Sequence, residues 1–150
     1  MKISIITPTL NCEKLIRNTM DSIFLQEGVE IEQIVIDGVS KDGTIAVLKE
    51  YKKKCNYLTI ISEKDNGLYD AMNKGIQLAT GDVIGILNAG DFYANRHILK
   101  KVMLKFENEE TDSVYGDLVY IKGDKIENIV RVWRAGKLGK NKFYKGWMPP

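Results

Sequence analysis

Four short β-branched runs alternate with four stretches of apolar residues at helical spacing, and this alternation limits the fold more than any other property of the chain. Ile3–Ile6, Ile34–Ile36, Leu58–Ile61 and Val83–Leu87 read as strands. Between and after them, apolar residues recur with the period of a helix. The first stripe is Leu15, Ile16, Thr19, Met20, Ile23 and Phe24, with Asn11 as its N-cap and Gly28 at its end. The second is Ile45, Leu48 and Tyr51, capped by Ser40 or Asp42. The third is Leu68, Met72, Gly75, Ile76 and Ala79, closed by Gly81, and the fourth is Leu99, Val102, Met103 and Phe106. Such a β-α order predicts an α/β fold whose mostly parallel sheet is flanked by helices on both faces. The pattern breaks after Glu110. Ser113–Ile121 and Ile126–Val132 are β-rich and joined by Lys122-Gly123-Asp124-Lys125, which predicts a C-terminal antiparallel hairpin. From Ala135 onward three glycines, four lysines and two final prolines show no periodicity and read as a loop.

A chain of 150 residues suits one domain, able to bury roughly two thirds of its unfolded surface. Its 44% hydrophobic and 28% charged residues are those of an ordinary soluble protein. No apolar run approaches the ~20 residues of a membrane span. The chain opens directly on a strand, so no signal peptide is expected. Cys12 and Cys55 lack metal-ligand spacing and read as small packing residues in a reducing cytosol. After Glu127 the chain carries Arg131, Arg134, Lys137, Lys140, Lys142 and Lys145 with no acid. That stretch reads either as a solvated tail or as a surface facing anionic lipid or a phosphorylated acceptor, each basic residue being worth about 1 kcal/mol near such a membrane.

Some chemistry is excluded outright. There is no G-x-x-x-x-G-K-[ST] loop, and Thr7-Pro8-Thr9-Leu10-Asn11 stands where a dinucleotide-binding G-x-G-x-x-G would follow the first strand. His97, the single histidine, lies in a charged stretch and reads as a surface or capping residue. What remains is a set of acids beside strand C-termini, where open α/β sheets bind ligands: Asp37, Asp42, Asp65, Asp70 and Asp91. An Asp in such a place commonly caps a helix or forms a turn, and Asp42 reads as a cap. Asp37 ends a fully apolar strand and precedes Gly38, and a carboxylate there can accept hydrogen bonds from a base edge or ribose hydroxyls. Asp91, after Leu87-Asn88-Ala89-Gly90, can reach a divalent cation through oxygen ligation.

Three ordered segments carry a family resemblance: Ile5-Ile6-Thr7-Pro8-Thr9-Leu10-Asn11, Val35-Ile36-Asp37-Gly38-Val39-Ser40-Lys41-Asp42-Gly43-Thr44, and Glu63-Lys64-Asp65-Asn66-Gly67 followed by Tyr69-Asp70-Ala71-Met72-Asn73-Lys74-Gly75. With Val114-Tyr115-Gly116-Asp117 they resemble the family 2 inverting glycosyltransferases with the A-type, Rossmann-like nucleotide-sugar fold. The likeness is to the bacterial enzymes that build capsule, exopolysaccharide or lipopolysaccharide. The resemblance implies a UDP-sugar donor, and an acceptor hydroxyl on a saccharide or lipid-linked saccharide. It implies hexosyl or N-acetylhexosaminyl transfer in the cytoplasm, peripheral to the inner face of the cell membrane, with no nucleic acid as partner. It places Thr7, Pro8, Thr9 and Asp37 around the base and ribose, Asp70 and Asn73 beneath the diphosphate, Asn88 beside the donor, and Asp91 on a Mg²⁺ or Mn²⁺ ion.

Two departures follow. The family reads D-x-D-D or N-x-D-D where this chain has Asn88-Ala89-Gly90-Asp91, so one carboxylate is left and the cation should be weakly bound. The family also continues into a region that supplies acceptor contacts and the general base. Residues 1–150 are therefore expected to form a single nucleotide-sugar-binding domain. In it, 1–110 make the parallel donor-binding part and 111–150 the start of a truncated acceptor-side region. The catalytic base is not identified, and Asp117 is the one candidate. The alternative reading is a non-catalytic nucleotide-sugar-binding or partner protein derived from such an enzyme. A receiver-type domain phosphorylated on Asp37 would need clustered acids at the first strand end, where Thr7-Pro8-Thr9 stands.

Overall fold

The computed structural model describes residues 1–108, 111–123, 127–137 and 144. Its elements run β1 (Lys2–Thr9), α1 (Glu13–Phe24), β2 (Glu30–Asp37), α2 (Thr44–Lys52), β3 (Leu58–Ser62), α3 (Leu68–Leu78), β4 (Val83–Ile86), α4 (Ile98–Asn108), β5 (Leu118–Ile121) and β6 (Ile129–Trp133). The first four strands form one parallel sheet, as the alternating pattern predicts, and its order is β3-β2-β1-β4. β5 and β6 pair antiparallel as a separate two-stranded sheet. This hairpin is shorter than the sequence suggests: 113–117 are not strand, and 124–126 of the connecting turn lie outside the described residues, as does most of the loop after Ala135.

β1 extends through Thr7-Pro8-Thr9, which the sequence placed beyond its end. Proline is tolerated there because the Ile6 carbonyl faces β4, where it accepts the Leu87 N–H, while the Thr9 carbonyl faces β2 and accepts the Gly38 N–H. The same alternation turns Pro8 towards β4 beyond that strand's last pair, Ile6 with Ile86. Its missing N–H is thus not needed.

Three apolar clusters hold the layers together. Cys12, Ile16, Met20, Val35, Val47, Leu48, Tyr51, Cys55 and Leu58 lie between one face of the sheet and α1 and α2. Ile3, Ile5, Ile23, Val83, Leu99 and Met103 continue that face under α1 and α4. Ile34, Ile36 and Ala71 join α3 to the opposite face. Both cysteines are buried and free, as packing residues are.

The helical stripes need correction in α1 and α3. In α1 the buried positions are Ile16, Thr19, Met20 and Ile23, with Leu15 and Phe24 exposed at its flanks. In α3 they are Ala71 and Gly75, while Leu68 and Ile76 are exposed. The reason is close approach. A Cβ on Gly75 would lie 2.4 Å from Ile6 Cγ2, so α3 rests on the sheet through its small residues and the bulky ones stand aside.

The helix starts also differ. Cys12 and Gly43 occupy the cap positions of α1 and α2, without side-chain caps of their own. The caps come from across the interface. Asp42 Oδ2 accepts the Glu13 N–H at 3.1 Å, and a Glu13 carboxylate oxygen accepts the Gly43 N–H at 3.0 Å. Asp42 Oδ1 also accepts the Thr44 N–H and hydroxyl, so it is a cap as expected, serving two helices at once. Asn11 is no cap. It adopts φ +49°, accepts the Lys41 N–H and donates its own N–H to Ser40 Oγ. The loops after β1 and β2 are thereby stitched into one rigid surface.

Candidate nucleotide-sugar site

Register brings the strand ends together: Thr9 pairs with Asp37, and Asp37 with Ser62. Asp37 is fully buried. Its Oδ1 accepts the Ser40 hydroxyl at 2.5 Å and the Thr9 hydroxyl at 3.3 Å. Its Oδ2 accepts the Ser62 hydroxyl at 2.7 Å and the Ser40 N–H at 3.0 Å. Four donors thus surround the carboxylate, the Thr9 hydroxyl proton being shared with the Ile36 carbonyl at 3.4 Å. The price is paid next door, where Val39 is forced to φ +63°, a conformation that costs a β-branched residue free energy. Thr7 Oγ1 is buried without a hydrogen-bond partner among the described residues, and Pro8 is buried beside it in the strand.

The loop from β3 to α3 closes on this knot. The Asp65 carboxylate lies against Gly38, where a Cβ would be 2.7 Å from Oδ2. Asp65 Oδ1 accepts the Gly67 N–H at 2.9 Å, and Asp70 Oδ2 accepts the Asn66 N–H at 2.9 Å. Lys74 gathers the acids: Nζ is 2.8 Å from Glu63 and 3.6 Å from Asp70, and it donates to the Lys64 carbonyl. The Glu63 bond and its charge hold the Lys74 ammonium above its ordinary pKa. Asp70 thus shapes the loop at the head of α3, while Asn73, one turn on, is exposed.

Beyond β1, on its β4 side, Asn88–Asp91 form a tight turn in which the Asp91 N–H bonds the Asn88 carbonyl at 3.0 Å. Gly90 occupies its third position at φ +99°, a value that favours glycine, and its N–H bonds Thr19 Oγ1. This explains why no carboxylate stands at 90. Asp91 lines a cavity of about 240 Å³ with Leu15, Asn18, Phe92 and the β5 strand. Partial desolvation there raises the Asp91 carboxyl above its ordinary pKa, opposed by a hydrogen bond from Asn88. Among the described residues no three His, Cys, Asp or Glu side chains converge. One carboxylate and a neighbouring amide do not make a cation cage, so these residues fit a divalent ion only together with oxygens brought by a ligand.

The structure therefore groups Thr9, Asp37 and the 63–70 loop on one side of β1, and Asn88 with Asp91 on the other. Asp117 joins neither: its Oδ1 accepts the Ala135 N–H at 2.9 Å and closes the base of the hairpin. His97 is exposed, as expected of a surface residue. The sequence reading missed Ser40, Ser62 and Asp65 as the partners that organise the knot. Ser62 was recoverable, because it ends β3 in register with Asp37.

A parallel sheet with polar side chains gathered at the strand C-termini defines an open α/β domain of the class that binds ligands at that edge. The chain belongs to glycosyl transferase family 2, whose family description matches residues 4–147. It is 36% identical over 118 residues to a PGL/p-HBAD biosynthesis glycosyltransferase of Mycobacterium bovis, covering 77% of this chain and 46% of that one. It is 32% identical over 127 residues to a poly(ribitol-phosphate) beta-glucosyltransferase of Bacillus spizizenii, covering 82% and 20%. The fold resembles that of S. aureus TarS 1-349 in complex with UDP-GlcNAc, with TM-score 0.69 and 27% identity over 81% of this chain and 35% of that one. It also resembles the mannosyltransferase PcManGT from Pyrobaculum calidifontis in complex with GDP-Man and Mn²⁺, with TM-score 0.67 and 26% identity over 80% and 35%. The chain spans about half the length, or less, of these relatives. No helix among the described residues is long and apolar enough to cross a membrane.

Proposed function

We propose that the chain binds a UDP-sugar and forms the donor half of an inverting transferase acting in bacterial surface polysaccharide synthesis. Its acceptor would be a hydroxyl on a saccharide or lipid-linked saccharide at an anionic membrane. The observation that carries this reading is the rigid Thr9–Asp37–Ser62 knot at the sheet edge in a member of this family. The two structural neighbours hold UDP-GlcNAc and GDP-Man, so the fold alone does not choose the base. Thr7, Pro8, Thr9 and Asp37 take the base and ribose in this proposal. The Thr9–Asp37 bond is the longest of the four at 3.3 Å, and a ribose hydroxyl or base N–H exchanges for it at the smallest cost. Asp70 and Asn73 lie along the path of the diphosphate, and Asn88 faces the donor opposite them. Asp91 would hold a Mg²⁺ or Mn²⁺ ion, which when bound would supply positive charge to offset that of a diphosphate.

Direct displacement at the anomeric carbon needs a base within hydrogen-bond reach of the acceptor hydroxyl, worth about 10²–10⁴ in rate. Asp117 is the first candidate to mutate, although its Oδ1 already holds the Ala135 N–H. The single carboxylate at Asp91 favours the second reading, a nucleotide-sugar-binding protein without turnover. Calorimetry with UDP, GDP and ADP, followed by turnover of a UDP-sugar with a lipid-linked acceptor, tests both. UDP should bind most tightly, and 1–150 alone should transfer slowly or not at all. Absence of UDP binding overturns the donor reading, whereas robust transfer by 1–150 overturns the incomplete-site reading.

A further inference from the structure

We infer that helix α1 and the segment 92–97 form a groove that holds a neutral saccharide and leads it to Asp91. The groove deepens the transferase reading proposed above, on which its acceptor role rests, by giving the acceptor sugar a place on this chain. Two cavities make it. The one beside Asp91, of about 240 Å³, and a second of about 560 Å³ share Asn18, Phe92 and Ala94 as lining, so they are successive stretches of one channel. The larger stretch falls within the range of about 300–1,000 Å³ of small-molecule sites.

The α1 wall is a stripe that the core does not use. Ile16, Thr19, Met20 and Ile23 are buried, whereas Leu15, Asn18, Ser22 and Leu25 recur at helical spacing beside them and line the cavities. This accounts for the exposure of Leu15 and Leu25, at 54% and 57%. The opposite wall is pinned at its far end. Gln26 Nε2 donates to the Asn95 carbonyl at 2.8 Å, Gln26 Oε1 accepts the Leu99 N–H at 2.9 Å, and the Glu27 N–H bonds the Arg96 carbonyl. A groove held in this way is formed before its ligand arrives, which lowers the cost of binding.

Its polar groups name the ligand. Asp21 Oδ1 accepts the Tyr51 hydroxyl at 2.6 Å, and Asn95 Oδ1 accepts the His97 N–H at 3.0 Å. Asp21 Oδ2, Asn95 Nδ2 and the His97 ring keep acceptor and donor capacity for a ligand. Arg96 is already paired with Glu27 at 2.9 Å. With Asp21 and Asp91 along the groove and that arginine offset, a polyanion such as nucleic acid is disfavoured. An acyl chain would bury the amides and the Asp21 carboxylate without partners. A sugar supplies hydroxyls for these groups and C–H faces for Phe92, Leu15 and Leu25.

Backbone amide NMR of the chain, titrated with the methyl glycosides of glucose, galactose, mannose, rhamnose and N-acetylglucosamine, tests the inference without nucleotide. At least one glycoside should shift the amides of Asn18, Ser22 and 92–97 together and leave those of Thr9 and Asp37 unmoved. Ala94→Trp fills the passage where the two cavities meet, at an exposed position, and should abolish those shifts. Asp21→Asn keeps an acceptor for Tyr51 and removes the charge. Combined with His97→Ala, it should weaken the same glycoside about five-fold, the loss of one or two hydrogen bonds. Denaturation midpoints and UDP affinity should match the parent in both proteins, which separates loss of the groove from loss of the fold or of the donor site. Absence of UDP binding alone speaks against the donor reading and not against the groove, whose shifts are read without UDP. No shift from any of these glycosides, shifts confined to the Thr9–Asp37 side, or shifts unchanged in Ala94→Trp overturn the inference.

Discussion

The two halves of the sheet's C-terminal edge are furnished in opposite ways. On the β2–β3 side, Asp37 is buried and its carboxylate is surrounded by donors from Thr9, Ser40 and Ser62. On the β4 side, Asp91 stands on a four-residue turn with a side-chain hydrogen bond to Asn88 and an open cavity in front of it. The first half is organised before any ligand arrives, and its shape is what a ligand must fit. The second half is sparse, and in the proposed reading a ligand would bring the oxygens a cation needs. In the proposed reading a rigid recognition element and a sparse cation-holding element share one sheet edge, because each is fixed by a different strand.

The sharpest way to break this contrast is to empty the knot. Asp37→Ala removes an acceptor of four hydrogen bonds and leaves the Ser40 and Ser62 donors without it, which should cost about 3 kcal/mol of stability or more. UDP affinity should also fall by roughly 1–3 kcal/mol. Chemical denaturation and calorimetry measure the two effects. A stable, folded Asp37→Ala protein with unchanged UDP affinity would show that the knot neither organises the loop nor faces the nucleotide. Gly75→Ala comes next. The new methyl meets Ile6 at the close contact between α3 and the sheet, and overpacking of this kind costs about 1–3 kcal/mol. Because it lifts α3 rather than touching Asp37, UDP binding should weaken through the 63–70 loop while the Asn88–Asp91 turn is spared.

A smaller, opposite effect is expected at Val39. Left-handed backbone costs a β-branched residue about 1–2 kcal/mol, and glycine avoids that cost while adding some unfolded-state freedom. Val39→Gly should stabilise the fold by about 1 kcal/mol in denaturant titration. A loss of stability would mean that Val39 carries no strain and that the loop after Asp37 is held by something else.

Much of this contrast was legible in the sequence, and the part that was not has definite causes. Continuous β-branched runs made the parallel strands readable, whereas their order in the sheet came from the structure. Asp37 was singled out correctly as the carboxylate at the end of β2, but its saturation was not readable. It depends on Ser62 and Thr9, which are brought to it by strand register and not by sequence distance. The stripe in α3 misled because hydrophobic size suggests burial, whereas close packing selected Ala71 and Gly75. Asn11 looked like a cap because its type and position fit. The caps came instead from Asp42 and Glu13, about thirty residues apart, and one-dimensional pattern reading has no access to such an exchange. The turn at Gly90 shows the reverse case: the departure from the family pattern was visible, and the structure supplies its reason in a positive φ.

The smallest change in stability and the clearest test of the unfinished half belong to Asp91. It is exposed and hydrogen-bonds the Asn88 side chain, so Asp91→Asn should leave stability within about 0.5 kcal/mol. Its effect should appear only with metal and nucleotide together. Titrated alone, Mn²⁺ should bind poorly, because one carboxylate offers few of the six or more oxygens that such ions take in protein sites. With UDP present the diphosphate supplies further oxygens, and each ligand should tighten the other by the same factor. Asp91→Asn should remove that mutual gain and leave metal-free UDP binding unchanged. The pH dependence has a definite sign. Desolvation raises the Asp91 carboxyl, so as pH falls it takes up a proton earlier than a free aspartate, whose pKa is about 3.9. The Mn²⁺-dependent gain should therefore disappear at a higher pH than an unperturbed carboxylate would give. Tight Mn²⁺ binding without nucleotide would reveal further ligands and erase the contrast. A UDP affinity indifferent to both Mn²⁺ and Asp91 would move the metal element elsewhere in the fold.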